Sequence, residues 1–133
     1  MSDRFARYAG LPSRVLMATI FLLSGLAKLG AMDQTRGYME AMGVPGALLV
    51  PTIMFEVGAG LLLIAGLGTR YVALALAGFT LVTAMVFHTD FANQIEMLMF
   101  LKNVAMAGGF LAIAAQGGGQ LSLDRMFAAR NPA

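Results

Sequence analysis

A chain of 133 residues is long enough for one domain and too short for two, so residues 1–133 are read as a single packing unit. Hydrophobic residues make up 59% and charged residues 12%, about half the roughly 25% charged share of a soluble domain, so water is not the main solvent. The net charge of +2 comes from dispersed Lys and Arg with no basic run interleaved with aromatics, which argues against a nucleic-acid partner, and the lack of cysteine excludes disulfides, thiolate metal sites and dithiol redox chemistry.

Crossing the hydrocarbon core takes about 20 mostly apolar helical residues. The first such stretch runs over residues 14–29, after Arg4, Arg7 and Arg14. The apolar run from Val15 to Ala27 behind a basic start also has the shape of a signal peptide, but Lys28 stands where a small-x-small cleavage site would be needed, so it is read as a span. Gly30 and Asp33 close it. Asp33 then serves as the expected N-cap of a short amphipathic interfacial helix, with Tyr38, Met39 and Met42 at helical spacing, lying as a lid over the outer mouth.

Gly43-Val44-Pro45-Gly46 opens the second span, residues 48–67, and Gly66-Leu67-Gly68-Thr69-Arg70 forms a tight reversal into the third, residues 71–87. A polar, acidic loop from His88 to Ile95 leads to the fourth, residues 97–115, which Gly117-Gly118-Gly119 ends. Backbone groups in lipid must be satisfied within the chain, and four segments are too few for a closed barrel, so the spans are helices. The fold class is all-α, an integral membrane four-helix bundle with one short interfacial helix.

The basic residues flanking the spans set the orientation. Arg4, Arg7, Arg14, Arg70, Arg125 and Arg130 fall on one side, and Arg36 stands alone on the other with Asp33, Glu40, Asp90 and Glu96. The termini and the Arg70 turn are therefore placed in the cytoplasm.

Lys28, Glu56, His88 and Lys102 lie within or at the ends of spans, one per helix, with Asn103 next to Lys102. A charge at membrane depth costs at least ~2.5 kcal/mol, so such residues face the bundle interior, pair, and mark function. Given the orientation, Lys28 and His88 sit at outer helix ends, and Glu56 and Lys102 lie roughly 8–12 Å below the outer face at 1.5 Å per residue. Ser24 with Lys28, Thr52 with Glu56 and Gly60, and Thr80 with Ala84 and His88 share faces at i, i+4, as an interior seam of small and hydroxyl residues requires. Ala105 with Gly109 and Gly108 with Ala112 supply further small pairs in the fourth span. A Glu56 pair with Lys28 or Lys102 serves equally as a helix-register device or a working site. Lys28 alone fits a snorkelling residue, and His88 fits an interfacial hydrogen-bonding residue better than a metal ligand. Met39, Met42, Met97 and Met99 near His88 suggest Cu(I), but they lack a repeated spacing and Met is the usual adaptable filler of apolar cores, so no metal site is assigned.

Taken in order, several stretches resemble the DoxX family of small membrane proteins. They are Phe21-Leu22-Leu23-Ser24-Gly25-Leu26-Ala27-Lys28, Tyr38-Met39 with Gly43-Val44-Pro45, Glu56 with Gly60, and Gly66-Leu67-Gly68-Thr69-Arg70. Phe87-His88, Lys102-Asn103 with Gly108-Gly109, and Gly117-x-Gly119 with Ser122-Leu123-Asp124 complete the set. The resemblance implies a four-helix protein of the bacterial inner membrane associated with quinone-linked redox systems. Related four-helix proteins that do thiol chemistry use cysteines, which this chain lacks.

Two functions follow as expectations. One is a membrane subunit that holds a quinone or similar lipophilic molecule at Lys28, Glu56, His88, Lys102 and Asn103, beside a partner oxidoreductase subunit. The other is a non-enzymatic anchor or assembly factor whose polar cluster only fixes the bundle. Small residues on the spans are compatible with a homo-oligomer as well as with one closed bundle.

Overall fold

The computed structural model describes residues 2–131. In chain order the helices are α1 (Asp3–Tyr8), α2 (Gly10–Leu29), α3 (Met32–Ala41), α4 (Leu49–Ala65, led by a 3-10 turn at Gly46–Leu48), α5 (Thr69–Phe87), α6 (Gln94–Gln116) and α7 (Leu123–Arg130). No strand occurs among the described residues. Four segments, Gly10–Leu29, Gly46–Ala65, Thr69–Phe87 and Gln94–Gln116, are long and apolar enough to cross a membrane. At 1.5 Å per residue each reaches about 30 Å or slightly more, the thickness of the hydrocarbon core.

These spans start a little earlier than hydropathy places them, for local reasons. Pro12 lies in the first turn of α2, where its missing N–H has no helical partner to lose, and the Ser13 hydroxyl donates to the Ala9 carbonyl at 2.8 Å. Pro51 occupies the same part of α4. At α6 the Asn93 side chain caps the helix, accepting from the N–H groups of Ile95 at 3.0 Å and Glu96 at 3.4 Å. The reversal between α4 and α5 is built on Gly66 and Gly68, both left-handed with φ of 73° and 62°. The N–H groups of Gly66 and Leu67 both return to the Leu62 carbonyl, at 2.8 and 3.1 Å, which ends α4 at once.

The interfacial helix is present as α3, but Asp33 does not cap it. Ala31 holds the cap position without a side-chain bond, and Asp33 sits in the first turn, where its charge complements the helix dipole. The helix begins two residues earlier because Met32 packs inward against the cluster of Met39, Leu49 and Ile53. Tyr38 stacks on Phe87, ring centroids 5.5 Å apart and planes 24° from parallel, tying α3 to the end of α5.

Packing is uneven around the bundle. α2 lies along α4 and α5 along α6, and these two pairs touch each other far less. At the end that carries α1 and α7, hereafter the terminal end, Ala18, Leu63, Ala73, Leu76, Ala77, Ala107 and Phe110 close into one buried core. Toward the α3 end the pairs separate. Close approach within α2·α4 depends on small residues: a Cβ at Gly25 would lie 2.7 Å from Val57 Cγ2, and one at Gly60 would lie 3.0 Å from Leu22. The small pairs expected in the fourth span divide differently. Gly109 packs on Met17, whereas Ala105, Gly108 and Ala112 face outward, because the turn of α6 that meets its neighbours is set by Asn103, Ala107, Phe110 and Ala114.

Candidate functional site

Lys28 occupies the last turn of α2, where a cation suits the helix dipole, and Glu56 lies on the facing side of α4. The Lys28 amine donates to Glu56 Oε2 at 2.9 Å, to Glu56 Oε1 at 3.1 Å and to Ser24 Oγ at 2.6 Å. The carboxylate is almost fully buried, with 6% side-chain exposure against 23% for the lysine. The i, i+4 seam read from Ser24 to Lys28 thus supplies a hydroxyl that steadies the ammonium before it crosses to α4.

Asn103 is buried on α6, its Nδ2 donating to the Thr80 carbonyl and to Thr83 Oγ1, both at 3.3 Å. Thr80 is buried too, its hydroxyl turned back to the Leu76 carbonyl at 2.7 Å. His88 follows the last residue of α5, and its Nδ1 lies 3.0 Å from Glu96 Oε2 in the first turn of α6. Glu96, not the adjacent Thr89 or Asp90, is therefore its partner, because α6 starts early enough to bring its first turn back over the end of α5. Lys102 does not reach Glu56. Its side chain is exposed at the edge of the bundle and its Nζ donates to Met99 Sδ at 3.4 Å, since the Lys28 ammonium already occupies both carboxylate oxygens.

Lys28, Glu56, His88, Lys102 and Asn103 nonetheless share one cavity of about 430 Å³ between the two helix pairs at the α3 end. Its floor is the aromatic packing of Phe21 and Phe79, and Tyr38 and Met39 of α3 form part of its cover. The walls are mostly apolar, interrupted by Ser24, Thr52 and Thr83, and the size falls within the range typical of small-molecule sites. Lys28 and Glu56 compensate each other, which leaves the Lys102 ammonium as the cavity-lining charge without a carboxylate partner among the described residues. Burial, together with the charge of Glu96, pushes the Tyr38 phenol up from its ordinary value, so it remains a hydrogen-bond donor at neutral pH.

A second polar cluster, at the terminal end, escaped the sequence reading, where Arg14 counted only toward orientation. Arg14 is fully buried. Its Nη1 donates to the carbonyls of Leu63 and Ile64 at 2.9 and 2.6 Å, and its Nη2 donates to Leu121, so it closes the C-terminal end of α4 and holds the chain leading into α7. Arg70 does the same for α6 through Ala114 and Ala115, at 2.9 and 2.7 Å. Asp124 caps the other polarity: its carboxylate accepts from the N–H groups of Gly68 at 2.7 Å and Thr69 at 2.9 Å, at the start of α5. Burial pushes this carboxyl up, but the amide donors of Thr69 and Gly68 with the nearby Arg14 charge outweigh it and hold it below its ordinary value. The only sequence signal was Ser122-Leu123-Asp124, an N-cap with an acid in the first turn of α7.

A family model described as DoxX matches residues 9–89. The chain belongs to the DoxX family. The inner membrane protein YqjF of Escherichia coli (strain K12) is 47% identical over 116 residues, covering 87% of this chain and 89% of that protein. The inner membrane protein YphA of the same organism is 36% identical over 120 residues, covering 85% and 86%. No solved structure matches. The DoxX match contains Lys28, Glu56 and His88, while Lys102 and Asn103 lie beyond residue 89. Four membrane-spanning helices and kinship with inner membrane proteins make this DoxX chain an integral membrane protein.

Proposed function

We propose that the chain is an inner-membrane component of quinone-linked redox metabolism that holds a quinone, or a lipophilic molecule of the same shape, in the cavity at the α3 end. The observation that carries this is the convergence of Lys28, Glu56, His88, Lys102 and Asn103 on one mostly apolar space of about 430 Å³. An apolar enclosure favours a ring and a prenyl-like tail, while the polar groups suit two carbonyl oxygens. Lys102 donates to one oxygen, and Asn103 or Lys28 donates to the other by exchanging its present bond to Thr83 or to Ser24. Glu56 accepts the proton that a quinol releases, and His88 with Glu96 passes protons to the α3 side. With no cysteine in the chain to take them, the two electrons that leave the quinol with its protons pass to a partner oxidoreductase subunit rather than to a disulfide. The termini face the cytoplasm, which places the cavity in the outer leaflet.

The test is solvent extraction of lipid from the purified protein and from Glu56→Gln and Lys102→Met variants, followed by spectroscopic assay for quinone. Quinone at near-stoichiometric yield in the native protein and its loss in both variants supports the reading. Quinone absent from all three samples removes it.

One observation favours the second reading, a non-enzymatic anchor or assembly factor. All three Lys28 N–H groups are already engaged by Ser24 and Glu56, as in a pair that only fixes helix register. In that case Glu56→Gln lowers stability, and recovery of a partner protein in a mild-detergent pull-down follows the amount of folded chain.

A further inference from the structure

The terminal end holds a second space that the proposed function leaves unused. A groove of about 540 Å³ runs between α1, the α4–α5 reversal and the Gly117–Gln120 loop. It lies level with the start of the α2 and α5 spans and the end of α6, the depth of lipid headgroups. Arg7, Arg70 and Arg125 line it against one carboxylate, Asp124, so three positive charges less one negative leave a surplus of two. That carboxylate is already engaged at both oxygens by the amides of Gly68 and Thr69.

The donors around this surplus are set up for an anion. Arg70 is immobilised through Nη1 on the Ala114 and Ala115 carbonyls. Its Nε and Nη2 edge, the fork that matches phosphate geometry, bonds to nothing among the described residues and lies against Gly117. Gly117 and Gly119 have φ of 81° and 79°, and the N–H groups of Gly118 and Gly119 donate to no acceptor among the described residues. Thr69, with its hydroxyl fully buried beside Asp124, also lines this groove. A Cβ at Gly118 would lie 2.8 Å from that hydroxyl, so only a glycine backbone fits between them.

We propose that this groove binds a phosphate-bearing anion at the membrane surface, through the Arg70 fork, the Arg7 and Arg125 side chains and the glycine-loop amides. The headgroup of an anionic phospholipid and a soluble phosphate share that chemistry, and the depth of the groove favours the lipid.

The experiment titrates the purified full chain in mild detergent with phosphatidylglycerol, phosphatidylcholine or inorganic phosphate, and reads bound species by native mass spectrometry. Phosphatidylglycerol is retained in preference to phosphatidylcholine. The Arg7 and Arg125 side chains bond to no other group among the described residues, so the R7Q/R125Q double variant folds normally and weakens phosphatidylglycerol binding about 25-fold, roughly five-fold for each arginine. The R4Q/R130Q control, with equal loss of charge outside the groove, leaves binding unchanged. Displacement of the lipid by inorganic phosphate supports the same site and assigns it to soluble phosphate, and failure to displace assigns it to the headgroup. Equal retention of the two lipids, or equal weakening in the two double variants, overturns the proposal.

Discussion

Gly25 of α2 and Val57 of α4 lie so close that a Cβ on the glycine would stand 2.7 Å from Val57 Cγ2 and 3.4 Å from Glu56 Cβ. This approach is what lets Lys28, one turn further along α2, reach the Glu56 carboxylate. The site therefore depends on a missing methyl group as much as on its charges.

Gly25→Ala forces α2 and α4 apart and costs about 1–3 kcal/mol, the usual range for overpacking. Gly58→Ala, where nothing lies within 4 Å, is neutral or mildly stabilising because alanine is the better helix former. Thermal unfolding in detergent measures both, and equal behaviour of the two variants would contradict the tight α2·α4 contact.

Glu56→Gln leaves the Lys28 ammonium without its carboxylate and costs about 3 kcal/mol, the low end for a broken buried pair because the lysine keeps 23% exposure. The double variant K28M/E56L removes both charges, recovers most of that loss, and does not recover the bound molecule. A melt paired with lipid extraction on each variant checks the two halves separately.

Asp124 titrates below its ordinary value, so it adds stability that is present above about pH 4 and lost as the pH falls through its lowered native value. Melting temperature measured from pH 7 down to pH 3 should fall on the acid side in the native chain. In Asp124→Asn that limb flattens and the neutral-pH melt is lower. An unchanged acid limb would mean that Asp124 does not stabilise the start of α5.

Orientation is open to a direct test, because the chain has no cysteine and an introduced one carries no background. With cytoplasmic termini, a membrane-impermeant maleimide added to intact cells labels Asp90→Cys in the α5–α6 loop and spares Ser2→Cys until the membrane is permeabilised. Both positions are exposed in the fold. The reverse pattern would invert the placement of the cavity.

The spans were legible because hydropathy over about 20 residues and the glycine breaks at Gly66, Gly68 and Gly117 are local signals. The Lys28–Glu56 pair was legible for a thermodynamic reason, since opposite charges on separate helices in lipid have few other partners. Which of Lys28 and Lys102 takes Glu56 was not legible, because sequence gives a residue's depth in the membrane but not the turn of its helix, and Lys102 lines the same cavity at its rim beside Met99. Glu96 was missed as the partner of His88 because the pairing depends on where α6 begins, which Asn93 decides. Arg14 was missed for another reason: its partners are backbone carbonyls 49 and 50 positions away and a loop carbonyl further still, and carbonyls carry no residue-specific signature.

The unequal packing of the two helix pairs bears on traffic across the bilayer. Leu63, Leu76 and Phe110 stop the bundle like a cork, closing the cavity at the α3 end off from the groove at the terminal end. A guest that enters must withdraw through the doorway it used. Under the proposed reading, a guest in that cavity is stored or presented within one leaflet, with the packed core standing between it and the other.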